Sequence, residues 1–77
     1  MDPQDIAVKA MDAIINTGFV NNYSLPSVFY KNTGELIRLF TYLRYDIYYK
    51  YDVRPEDTHI GIITRICDMA IADLEKN

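Results

Sequence analysis

The chain has little of what chemistry in a small protein is usually built from. Its 77 residues hold one cysteine, Cys67. With no second thiol to pair with, the disulfide framework of small secreted domains is excluded. The single histidine, His59, lies eight positions before it, roughly 12 Å along a helix. That is too far for a direct Cys–His nucleophilic pair. A structural zinc site wants four Cys or His ligands at recognisable spacing, so no metal is expected, nor any other cofactor. The three glycines, Gly18, Gly34 and Gly61, stand apart, and isolated glycines cannot form a phosphate-cradling loop. No acidic run has the alternating oxygen ligands, central glycine and distal glutamate of a calcium loop. Together these gaps argue against an enzyme.

Long apolar runs are missing too. No segment approaches the roughly 20 residues of a membrane span, and "IGIITRIC" is interrupted by Arg65. The start, "MDPQDIAVKAMD", has no basic stretch leading into an apolar run, as a secretory signal would. A cytoplasmic or host-intracellular protein without a membrane segment is expected.

Apolar and aromatic side chains, by contrast, are abundant. The composition is 49% hydrophobic, with seven Tyr and three Phe. A single domain of this size buries only roughly 60% of its unfolded surface. Some of that apolar content must therefore serve another face or self-association. Charge is unevenly placed within the net −3. Residues 30–54 hold five basic and three acidic groups, a net of +2, and the remainder is −5. Such asymmetry can guide docking.

The punctuation predicts an all-α, compact bundle of three main helices, about 3–16, 33–51 and 56–75, in one domain over 1–77. Asp2 can cap the first helix, with Pro3 at its first position and Asp5 in its first turn. Ile6, Ala10, Ala13 and Ile14 recur at helical spacing, and Gly18 in "NTGF" is a stop signal. "VNNYSLPS" reads as a loop, and "SVFYKN" as a short helical turn near 26–31. Asn32 with Glu35 three residues on has the pattern of a capping box. The alternative, one longer helix from Pro26, would carry Gly34 inside it at about 1 kcal/mol, so a break is preferred. In the second helix Leu36, Phe40, Leu43 and Ile47 share one face, three and four apart, which rules out a strand despite the tyrosines. Tyr51 is expected to pack toward the core. In the third helix Ile60, Ile63, Cys67, Ala70, Ile71 and Leu74 form a broad apolar face. Cys67 there reads as a small core hydrophobe. Asp52, Glu56 and Asp57 around the second connection read as capping and first-turn charges.

Opposite the apolar face of helix two stand Arg38, Tyr42, Tyr45 and Tyr49, with Tyr48 to one side. One explanation is internal: helix two is central, sandwiched by its neighbours. The other is a protein–protein interface, since Tyr keeps one end wet and Tyr with Arg is an enriched interface pairing. The second is favoured, with a larger protein or a second copy as partner, which would make the chain a small adaptor or inhibitor. The alternative function is nucleic-acid or nucleotide binding by stacked aromatics and cations. The negative net charge, and the lack of a basic stripe or basic recognition helix, count against it.

Overall fold

The computed structural model describes residues 1–50 and 58–77, with Asn22 and Lys50 by their backbone alone. Three helices carry the fold: α1 over Pro3–Asn16, α2 over Thr33–Lys50 and α3 over Thr58–Lys76. No strand occurs among the described residues. The expected end of helix two at Tyr51 and start of helix three at 56–57 lie outside the described residues. So do the packing expected of Tyr51 and the Asp52, Glu56 and Asp57 group.

Each helix boundary has a local cause. The Asp2 carboxylate accepts from the Gln4 N–H at 2.9 Å, and Pro3 takes the first position, where its missing N–H costs nothing. At the other end Gly18 adopts φ 72° and its N–H donates to the Ile15 carbonyl at 3.0 Å. Thr17 adds a hydroxyl bond to the Ile14 carbonyl at 2.6 Å. The α2 start is a reciprocal capping box: the Glu35 N–H donates to Asn32 Oδ1 at 2.8 Å, and the Asn32 N–H donates to Glu35 Oε1 at 2.9 Å. Two orphan amides are satisfied by one pair of side chains.

The α1–α2 connection differs in detail from the expected turn near 26–31. Its one helical turn is a short 3-10 segment at Asn22–Ser24, followed by extended chain and a turn at 29–30. The segment is held at Val28, which is buried and whose carbonyl accepts from Gln4 Nε2 at 3.3 Å. The turn itself places Tyr30 at φ 61°, a left-handed backbone that bulky side chains rarely adopt. The anchor at Val28 and the left-handed backbone of Tyr30 interrupt the stretch, so no regular helical turn forms over 26–31.

Every side chain expected on the core face of α2 is buried: Leu36, Phe40, Leu43 and Ile47. Opposite them lie Ile6, Ala7, Ala10, Met11 and Ile14 of α1 and Ile60, Ile63, Cys67, Ala70 and Leu74 of α3. No polar or charged residue is buried among the described ones. The radius of gyration, 11.7 Å, matches the ~11.5 Å expected for a closed domain of this length. The core therefore closes without the tyrosines of α2. The order of packing corrects the sandwich picture: α3 lies against both α2 and α1, whereas α1 and α2 touch each other little. The central helix is the third, so helix two keeps one long side open.

Candidate functional site

The 18 residues of α2 run about 27 Å at 1.5 Å per residue. Their outer side carries Arg38, Tyr42, Tyr45, Tyr48 and Tyr49, all exposed. Exposure is 65% at Tyr42, 53% at Tyr45, 40% at Tyr48 and 73% at Tyr49. Four large aromatic rings on one helix are thus left open to solvent, and clustered exposed apolar groups are where docking surfaces form.

The rings are not independent. Tyr45 and Tyr49, one turn apart, stack nearly parallel with centroids 6.3 Å apart. Tyr48 meets Tyr49 edge-on at 5.5 Å. Both geometries are favoured by the ring quadrupole. The rings thereby hold one another in place, which lowers the side-chain entropy lost when a partner lands on them. They also close against each other instead of standing apart as the walls of a cage for a cation.

Helix packing divides the stripe between two shoulders. On the α3 side, Tyr45, Tyr48 and Tyr49 join Arg44, Gly61 and Thr64 around a cleft of about 400 Å³. On the other side, Tyr42 and Asp46 border a second groove of about 300 Å³ with Leu39, Leu25 and Pro26. Arg38 lies one turn toward the helix start, its guanidinium over the bare Cα of Gly34. The structure thus brings three of the four tyrosines together and leaves Tyr42 and Arg38 beside them along the helix.

Arg44 also lines the cleft on the α3 side. Its Nε donates to Asp68 Oδ1 of α3 at 2.9 Å, and both side chains are half exposed, so the pair fixes the α2–α3 register more than it adds stability. Sequence offered one clue to it, a cation at the edge of one apolar face and an anion beside another. A further group went unnoticed: Tyr23, Phe29 and Tyr30 of the α1–α2 connection are exposed at 92%, 57% and 102%. Only their aromatic character, in a stretch with no helical or strand periodicity, marks them.

The groups with intrinsic reactivity lie elsewhere. The Cys67 side chain is wholly buried. Burial pushes its thiol up from 9.0 to about 12, with Asp68 adding to the rise and Arg44 opposing it. It is a protonated core group at neutral pH and not a nucleophile. His59 is exposed and its ring meets Phe19 edge-on at 5.3 Å. Among the described residues, no three His, Cys, Asp or Glu side chains are placed to share a metal ion. No helix among them is long and apolar enough to cross a membrane. No protein-family model, curated protein or solved structure matches the chain.

Proposed function

We propose that this protein is a non-enzymatic binding module that docks a protein surface through the tyrosine face of α2. One observation carries the reading: Tyr45, Tyr48 and Tyr49 are pre-stacked in the open, on a helix whose opposite face already completes the core. Rings that the fold does not need, held rigid beside a cleft, are the pattern of interface anchors. It would act by occupying a larger protein's surface, as an adaptor or inhibitor, or by pairing with a second copy. The free thiol of Cys67 suits a reducing compartment such as the cytoplasm.

The chemistry of the face favours protein over nucleic acid. Arg44 is engaged by Asp68, Asp46 stands on the same side of the helix as Tyr42, and the whole chain is net negative. A phosphate backbone would meet carboxylates about as often as cations. The test is a paired capture from the native lysate, with wild type and the Tyr45→Ser/Tyr49→Ser variant as baits. Proteins held by wild type and lost by an equally helical variant support the reading. Identical retained sets with both baits would refute it.

A further inference from the structure

We infer that the tyrosine face of α2 is complementary to itself, and that its occupant is a second copy of this chain packed antiparallel about a two-fold axis at Tyr42. The inference rests on the reading of that face as a binding surface and names its partner. In an antiparallel two-fold pair of helices, residue i meets the residue equally far on the other side of the axis. With the axis at Tyr42, Arg38 comes opposite Asp46 of the second copy, and Asp46 opposite its Arg38. Tyr45 meets Leu39, which is half-buried at the rim of its groove. Tyr49 meets Glu35, and Tyr42 meets its own counterpart. Each facing pair is of compatible chemistry: cation with anion, ring with aliphatic chain, phenol with carboxylate, and ring with ring at the axis.

Other arrangements lose this match. A parallel pair would set Arg38 against Arg38 and Asp46 against Asp46, repulsion at both ends of the contact. An antiparallel register centred one turn earlier would leave Tyr45 and Tyr49 beyond the start of the facing helix. Tyr42 stands at the midpoint of Thr33–Lys50 to within one residue, so the matched register also uses the whole helix. Neither Arg38 nor Asp46 has an ion-pair partner within the chain among the described residues, where Arg44–Asp68 is the pair that forms. Antiparallel helices also set opposite dipole ends beside each other.

The experiment is sedimentation velocity from micromolar to several hundred micromolar, with circular dichroism as the folding control. Wild type is expected to move toward twice its 9.0 kDa with rising concentration. Arg38→Asp and Asp46→Arg each place two like-charge pairs across the interface and should weaken dimerisation about ten-fold, while the double reversal restores it. A wild type that stays monomeric throughout, single reversals without effect, or a double reversal that restores nothing would each overturn the inference. A monomeric wild type whose Tyr45→Ser/Tyr49→Ser variant still loses captured proteins would overturn the dimer alone and leave the binding face standing. Identical captured sets would remove the face itself.

Discussion

Two residues hold unusual states for opposite reasons. Tyr30 adopts a left-handed backbone with its ring wholly in solvent, so it carries conformational cost without burial to offset it. A bulky residue in that region costs about 1 kcal/mol or more, and glycine adopts it freely. Tyr30→Gly is therefore expected to leave the fold intact and raise the urea midpoint, with a gain in unfolding free energy of up to about 1 kcal/mol. A lower midpoint would show that the ring packs in a way its exposure does not suggest. Cys67 is the reverse case, at home in the core but sensitive to alkali. Its thiol is held near pKa 12 in the fold, against an ordinary 9.0. The protonated form is the one the fold accepts, so this contribution is intact below the unfolded value. It falls away as pH rises from about 9 toward 12. Between pH 7.5 and pH 10 the wild type should lose about 1–2 kcal/mol more than Cys67→Ala does, measured by urea unfolding at both pH values. Equal losses would mean that the thiol ionises in place.

The helix ends show how much of an element can be read in advance. Asn32 and Glu35 were recognisable as a capping box from spacing alone, and both of their hydrogen bonds form. Asn32→Ala should cost about 1 kcal/mol, and Glu35→Ala less, by thermal or urea denaturation. A neutral Asn32→Ala would mean that water caps α2 equally well. The apolar face of α2 was legible for the same reason: one helix's period depends on that helix only. Helix pairing is a different kind of information. Nothing in the period of α1, α2 or α3 says which of them lies between the other two, and the third proved central where the second could equally have served. Val20 and Val28 were hidden for a related reason. They are core residues in irregular chain, where no periodicity marks a buried position. The tyrosines were visible as an excess over what the core could hold. Their division into two shoulders depends on α3 and the connection packing beside them.

At the level of the whole molecule, the described residues bury sixteen hydrophobic side chains in a chain of 77, so a single large truncation is severe. Phe40→Ala should cost about 3–5 kcal/mol, a large share of the 5–15 kcal/mol typical of a domain. Loss of a cooperative thermal transition at 37 °C is the expected outcome. A variant that still melts cooperatively near the wild-type temperature would mean that the core refills the space. The surface tolerates more: Tyr45→Ser/Tyr49→Ser removes rings that the core does not use, and its unfolding free energy should stay within about 1 kcal/mol of wild type. The position of α3 has a consequence for how the chain reaches this state. Because α1 and α2 touch each other so little, their apolar faces find little to close upon unless α3 lies between them. Closure of the core therefore needs α3 docked against both of the other helices. A fragment of residues 1–57 should accordingly show weak helicity, no sharp transition and prompt cleavage by proteases that spare the full chain.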